Sequence, residues 1–480
     1  MRVGVGLVLL ALAAGSGDAQ EVYPTTPDWV SADTPVSTGA ALVDLDRDGW
    51  LDLVVANGND IERQPIAVYY NSGAGALPAV PDWTSSDIGF HGHLDVADVD
   101  GDGWIDVAVA ELGAFSQVDH AAKLYRNVAG TLSSLPVWES EPVAHAFGCA
   151  FGDVDNDGRP DLAVATGWAY GTQYRYPTWV FFKVRGPPES TPGWASSDDR
   201  HLLGVAWVDA DGDGWLDLVG AAAGDESVVW PNTGGTLAGQ PAWESGDASA
   251  QFAIMVATGD VDGDGVPDLV VTDNTQLGGS GSFRAYDGVS GGWFQTLHGW
   301  SWYDGYGSAV ALADVDADGD LDLGTGAWWD RARLFLGGPD GLPTVPDWSS
   351  AGTSVVEKIV FGDVDRRGVT TRSVTAPADG RRLLQLPDRT LYAVIEVEVD
   401  GFVLPPDRYA ADLDDGRVTI DQAAAVGVTV TYQRSSSLDM VVANWDSTVG
   451  NQMYLNLLAP SLFVDGFESG GTTAWSTVVP

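Results

Sequence analysis

Apolar and polar positions along this chain recur in one order: small apolar residues, an acidic stretch, a short apolar run, a polar gap, an aromatic run and a Trp segment. The first occurrence places these at Thr38–Val43, Asp44 onward, Leu51–Ala56, Ala67–Asn71 and around Trp83. Apolar runs this short, bounded by Gly, Asp and Asn, predict strands rather than helices. We name the four strands of each repeat A to D. Strand A is built of small residues, as in Ser308-Ala309-Val310-Ala311-Leu312-Ala313, which suits a crowded innermost position. Strand B, as in Leu51-Asp52-Leu53-Val54-Val55, reads as a strand buried on both faces.

The acidic stretches begin at Asp44, Asp98, Asp153, Asp209, Asp260, Asp314 and Asp363, with spacings of 54, 55, 56, 51, 54 and 49 residues. That period fits one propeller blade of four strands, so seven repeats predict seven blades. Trp29, Trp83, Trp138, Trp194, Trp243, Trp300 and Trp348 keep the same beat. Trp29 precedes the first acidic stretch and is expected to supply the outer strand of the last blade, closing the ring so that no sheet edge stays unpaired. Near the other end, Leu438-Asp439-Met440-Val441-Val442-Ala443-Asn444 repeats the strand B text, and Met453–Leu457 repeats strand C. The seventh blade is therefore split between Lys358–Val364, residues 438–457 and the N-terminal strand.

The fold class expected is all-β: a seven-bladed propeller closed by the N-terminal strand, with a small β domain inserted in the last blade. Residues 20–365 hold blades 1 to 6 and the start of blade 7, 366–437 the insert, 438–457 the rest of blade 7, and 458–480 a tail. Within the insert, Leu391–Val399, Arg417–Asp421 and Val428–Tyr432 read as strands, with a turn at Asp400-Gly401. An eighth, degenerate blade that forces Arg372–Leu386 onto strands B and C is the competing arrangement.

Composition narrows the picture. The 480 residues are 45% hydrophobic with 20 Trp, ample for a packed core, and 60 Gly with 25 Pro favour many turns. A formal charge of −45 repels nucleic acid and anionic membranes and favours cations. Residues 1–19 carry Arg2, an apolar run from Val3 to Ala14 and small residues before a cut expected after Ala19, the pattern of a secretory signal peptide. No later stretch has the length to span a bilayer as a helix. The protein is therefore expected to be secreted, extracellular or at the cell surface, with periplasmic residence also open. Cys149 is the single cysteine, so no intramolecular disulfide is available, and it reads as a small buried hydrophobe.

The acidic stretches follow D-x-D-x-D-G-x-x-D, in which carboxylates at positions 1, 3, 5 and 9 and a carbonyl at position 7 can converge on one ion. Gly at position 6 allows the sharp turn. Six are complete. Their carboxylates are Asp44, Asp46, Asp48 and Asp52; Asp98, Asp100, Asp102 and Asp106; Asp153, Asp155, Asp157 and Asp161; Asp209, Asp211, Asp213 and Asp217; Asp260, Asp262, Asp264 and Asp268; Asp314, Asp316, Asp318 and Asp322. The position 7 carbonyls belong to Trp50, Trp104, Arg159, Trp215, Val266 and Asp320. An all-oxygen set of this charge favours Ca2+ over zinc or copper, giving about six sites. The seventh stretch, Asp363-Val364-Asp365-Arg366-Arg367-Gly368, has Arg at position 5 and is expected to hold no ion.

These motifs, with Phe151-Gly152-Asp153-Val154-Asp155 and Phe361-Gly362-Asp363, resemble the FG-GAP repeats of integrin α-subunit propellers and the related VCBS-type repeats of secreted bacterial proteins. The resemblance implies the propeller fold and calcium. It does not select a function, because relatives include adhesion receptors, substrate-binding modules, lyases and lipases.

With the acidic loops on one face, the D-to-A and B-to-C connections lie on the other, as in integrin-like propellers. His91, His145 and His201 share one register there with Tyr306. The B-to-C segments add Trp168, Tyr170, Tyr174, Tyr176, Trp328 and Trp329, aromatic residues suited to stacking on sugars or anchoring a protein. The histidines read either as hydrogen-bonding caps of strand A or as a metal or acid–base cluster. No complete catalytic set can be placed. The expected function is a non-enzymatic binding or adhesion module for extracellular polysaccharide or protein, with a lyase-like enzyme using the His and aromatic mouth as the alternative and a passive spacer as a third reading. Asp465-Gly466-Phe467-Glu468-Ser469-Gly470 resembles a tail common to exported bacterial proteins and reads as a sorting signal or a frayed end.

Overall fold

The computed structural model describes residues 21–458 apart from 74–75, 114–119, 142, 168–174, 184–186 and 248–250. The expected signal segment, the tail beyond 458, and Trp168, Tyr170 and Tyr174 lie outside the described residues.

Seven antiparallel blades follow one another. Strand A is Ser37–Val43, His91–Ala97, Ala146–Gly152, Leu202–Val208, Val256–Gly259, Gly307–Ala313 and Ser354–Gly362 in blades 1 to 7. Each strand A packs beside the next, and that of blade 7 returns to that of blade 1, which makes the arrangement a ring. Strand B follows as expected, for instance Asp52–Asn57 fully buried in blade 1. Blades 1 to 5 are separate four-stranded sheets, whereas strand B of blade 6, Asp322–Asp330, overruns its hairpin and pairs Trp328 with Val355 of blade 7.

Closure occurs where the Trp rhythm places it. In blade 7, Ser354–Gly362 pairs with Asp439–Asn444, that strand with Gln452–Tyr454, and the last with Trp29–Val30. Tyr23, fully buried, donates its hydroxyl proton to the Leu438 carbonyl at 2.7 Å.

Six of the strand D tryptophans pack alike, edge-on against the strand C aromatic of the following blade. Ring centroids are 5.6 Å apart for Trp29 and Tyr69, 5.3 Å for Trp138 and Phe181, 5.9 Å for Trp194 and Trp230, 5.8 Å for Trp243 and Tyr286, 5.2 Å for Trp300 and Phe335, and 5.1 Å for Trp348 and Tyr454. Edge-to-face pairs add about 0.5–1.5 kcal/mol each beyond the area they bury, so the blade-to-blade seam is specific as well as apolar.

Residues 369–435 form the inserted domain. Val369–Pro377 pairs along its whole length with Gly427–Ser435, which also takes Ala393–Val399; a second sheet joins Leu383–Gln385, Arg417–Ile420 and Tyr409–Asp412. The domain has its own core of Val397, Val418, Ile420, Val430 and Tyr432. No eighth blade is present among the described residues: Val369–Pro377 and Leu383–Gln385 belong to the insert's two sheets. Rather than projecting away, the insert lies across the acidic-loop face and covers the end of the axial channel, where Arg389, Asp412, Asp414 and Arg417 meet residues of the A strands. No helix among the described residues is long and apolar enough to cross a membrane.

Candidate metal centres and ligand face

The six complete acidic loops are built on the same hydrogen bonds. The N–H of the Gly at position 6 donates to the carboxylate at position 1, from Gly49 to Asp44 at 3.0 Å, Gly103 to Asp98 at 2.8 Å, Gly158 to Asp153 at 2.7 Å, Gly214 to Asp209 at 3.0 Å, Gly265 to Asp260 at 2.8 Å and Gly319 to Asp314 at 3.1 Å. These glycines hold φ between 83° and 99°, a region that side chains resist. The position 9 aspartates, Asp52, Asp106, Asp161, Asp217, Asp268 and Asp322, are at most 1% exposed. One oxygen of each accepts the N–H of position 2, and the other accepts an N–H at the end of strand C, as Asp52 does from Leu45 and Asn71. Position 9 thus ties strands A, B and C together as well as facing the loop.

Carboxylate oxygens gather in these loops. One atom each from Asp44, Asp46 and Asp48 lies within 4.8 Å of the others, and so do single atoms from Asp98, Asp100 and Asp106, from Asp153, Asp155 and Asp161, from Asp209, Asp211 and Asp217, and from Asp260, Asp262 and Asp268. Burial, reinforced by neighbouring carboxylates, pushes Asp44 and Asp98 up to about 6, Asp52, Asp106, Asp153, Asp217, Asp268 and Asp314 to about 7, and Asp322 to about 8, although backbone N–H groups oppose the rise. Asp44 Oδ1, Asp209 Oδ1 and Asp157 Oδ1 are buried acceptors with no donor. An all-oxygen cluster with orphaned acceptors fits a divalent cation, which would neutralise the crowding and take those lone pairs. The position 7 residues Trp50, Trp104, Trp215, Val266 and Asp320 turn their N–H groups onto the position 5 carboxylates, and the Arg159 side chain pairs with Asp157 at 3.0 Å.

The seventh loop keeps the scaffold. Gly368 N–H reaches Asp363 at 2.8 Å, and Asp439, 76 residues further on, fills position 9 by accepting from Val364 and Asn456. Arg367 at position 5 pairs with Asp365 at 2.5 Å and donates to the Asn456 carbonyl. Burial works against its charge, yet Asp365, Asp439 and Asp363 hold the guanidinium above its ordinary range. A covalent cation therefore stands among the carboxylates where the other loops would place an ion. Arg367→Asp is expected to add one bound metal ion per chain, counted by equilibrium dialysis with elemental analysis; an unchanged count would show that the geometry beyond Gly368, where the insert departs, forbids the site.

A residue type absent from the sequence motif links each of four loops to the next blade. Asn71, Asn127, Asn232 and Asn456, at the ends of C strands, donate to the position 2 carbonyls of Val364, Leu45, Val154 and Val315. Recurrence of Asn two residues past the strand C aromatic was the available signal.

On the opposite face the sequence candidates separate. His91, His145 and His201 are buried, and their Nδ1 atoms meet the carbonyls of Asn57 at 2.7 Å, Leu112 at 2.8 Å and Ala223 at 3.2 Å. Burial, helped by Lys123, lowers His91 to about 4, and burial also lowers His145. Each ring secures the end of a strand B. Tyr176 is partly buried against Trp179. Trp328 is 3% exposed and donates to Glu357 at 2.5 Å, so it supports the face from beneath. Trp329 is 56% exposed with φ at 58°, beside Tyr306, 39% exposed, at 5.6 Å; Tyr303, 67% exposed, ends strand D of blade 5 on the same rim. A Trp held in the left-handed region and turned to solvent is a costly arrangement in a chain that packs its strand D tryptophans at blade seams.

The fold and loops define a β-propeller with several acidic clusters able to chelate a divalent cation. Models of the FG-GAP-like repeat match residues 44–109, 110–164 and 209–271, and the FG-GAP repeat model matches 150–181, so these segments are similar to FG-GAP repeats. Comparison with curated proteins finds no match. Among solved structures it is similar to the computationally designed Ika8 protein, at 12% identity and a TM-score of 0.38, over 69% of this chain and 92% of that one.

Proposed function

We propose that this protein is a secreted calcium-binding propeller that acts as a non-enzymatic binding module for extracellular polysaccharide, with Trp329, Tyr306 and Tyr303 as its stacking platform. The observation that carries the reading is the solvent-facing Trp329, braced edge-on by Tyr306 and by the buried Trp328. Pyranose rings present apolar faces that such residues cover, and the flanking Asp330 carboxylate and Arg331 guanidinium offer partners to hydroxyls. Calcium in the loops is the identity that an all-oxygen, acid-rich set favours. The integrin-like and bacterial VCBS-like character and the export signal belong to the same proposal. A protein ligand on this platform would use the same aromatic anchors. The histidines on which the lyase alternative relies are buried, each with its Nδ1 on a backbone carbonyl.

A glycan array with the wild type and Trp329→Ala tests this. Expected is a discrete set of bound glycans whose affinity falls about tenfold or more in the variant, in line with the loss of a central aromatic anchor. Glycan binding that survives the substitution moves the site elsewhere, and an empty array with capture of a protein ligand replaces the polysaccharide reading.

A further inference from the structure

The axial channel is a chamber of about 180 Å3 whose wall includes Asp95 and Lys358 from A strands, and whose cover is the insert, through Arg389, Asp412, Asp414 and Arg417. At its other end Phe147, Leu203, Ile254, Trp328 and Val355 join in one apolar cluster drawn from five blades. The end away from this cluster faces the insert.

What holds the insert down is unusual. Its side chains donate to backbone carbonyls inside the acidic loops and at the ends of A strands. Tyr392 reaches Gly49 at 2.7 Å, beside Arg366 of the seventh loop on the same carbonyl; Arg382 reaches Asn156 at 3.1 Å; Arg381 reaches Gly212 at 2.8 Å. Arg389 donates to Thr258 at 2.7 Å, and Arg417 to Trp207. Gly49 is position 6 of its loop, and Asn156 and Gly212 are position 4 of theirs, so all three carbonyls sit in the turn that wraps the cation site. Asn156 holds φ at 52° and Gly49 at 90°, so both carbonyls take their direction from the tight turn of the loop. Removing the cation leaves crowded carboxylates to repel one another, and the acceptors for three loops change direction together.

We propose that the metal-loaded loops are the latch that holds the insert over the axial chamber, so that metal loss opens the chamber while the blades stay folded. The inference rests on the reading of the loops as calcium sites. The insert can lift as a unit, since it has its own core and hangs on two adjacent chain crossings at Gly368 and Ser436.

The chain has three lysines, which makes the test direct. Lys358 lines the chamber. Lys123, ion-paired with Asp87 at 3.4 Å and Glu111 at 3.3 Å in the wall of blade 2, reports on the blades themselves. Acylation by an N-hydroxysuccinimide ester, mapped by mass spectrometry well below the melting range, is compared in calcium and in EGTA. Expected is acylation of Lys358 about tenfold or more faster in EGTA, with Lys123 unchanged, as for a local opening. The triple variant Arg381→Ala, Arg382→Ala, Tyr392→Phe, which removes latch contacts but no carboxylate, should expose Lys358 even in calcium with its bound calcium count unchanged. Equal protection of Lys358 with and without calcium, joint exposure of Lys358 and Lys123, or a triple variant that still protects Lys358 overturns the latch. Absence of bound calcium in equilibrium dialysis overturns the calcium reading instead.

Discussion

Stripping the divalent cation with EGTA is expected to lower the melting temperature by about 20 °C. Each loop saturated at about a hundred times its dissociation constant contributes about 2.7 kcal/mol, so six loops contribute about 16 kcal/mol. An unfolding entropy of about 2.1 cal/mol/K per residue over roughly 400 ordered residues makes that about 20 °C. Without disulfides, the propeller has no other cross-link to share this load.

Acid gives the same prediction a second edge. In the metal-free protein Asp52, Asp106, Asp217 and Asp268 titrate near 7 and Asp322 near 8, against an ordinary 3.8. Raised carboxyls bind protons in the folded state more readily than in the unfolded state. Their contribution is therefore present at low pH and lost as pH rises from about 4 through about 8. The melting temperature of protein dialysed free of calcium beforehand should be higher at pH 5 than at pH 8, and in excess calcium the order should reverse, because protons then compete with the ion. Scanning calorimetry at both pH values, on calcium-free and calcium-loaded protein, checks the two signs; a curve that ignores calcium would remove the ions from the account of stability.

Much of this architecture was legible because it repeats. Period, loop and Trp rhythm together place seven blades, the closing strand and the split seventh blade, and each depends on residues that recur in register. The insert's outline was readable from Leu391–Val399 and Val428–Tyr432, yet Val369–Pro377 was not, since it is a mostly exposed polar strand without an alternating apolar pattern. The insert's position was illegible for a deeper reason. Its arginines bind backbone carbonyls, and a carbonyl acceptor leaves no mark in the sequence. Asp439 as the ninth position of loop seven was readable only through the repeated strand B text, because 76 residues separate it from Asp363 where the other loops need eight. Two further signals lie in the repeat itself. Serines two residues after the strand D Trp, such as Ser85, Ser140, Ser196, Ser245 and Ser350, accept N–H groups at the start of strand C, and an aromatic stands in strand C of every blade, six of them edge-on to the preceding blade's Trp.

Trp29→Ala should destabilise the protein by more than Trp83→Ala, although both remove a partly buried Trp from strand D. The second is expected to cost about 3 kcal/mol, the lower end for loss of a buried aromatic, because strands on both sides of it are covalently continuous with the ring. Trp29 lies on a strand that no loop connects to blade 7. Its hold consists of the pairing with Gln452 and Met453, the Trp29–Tyr69 contact across the seam to blade 1, and the Tyr23 hydroxyl on Leu438. Weakening that hold lets the whole strand leave, which bares the edge of Gln452–Tyr454 and unzips the seams to either side. Urea denaturation separates the two behaviours. Trp83→Ala should shift the midpoint at constant slope, and Trp29→Ala should shift it further and lower the slope, as expected when one cooperative ring becomes an open, fraying stack. Equal shifts at equal slopes would mean that blades hold each other without the closing strand, and that the N-terminal Trp serves packing alone.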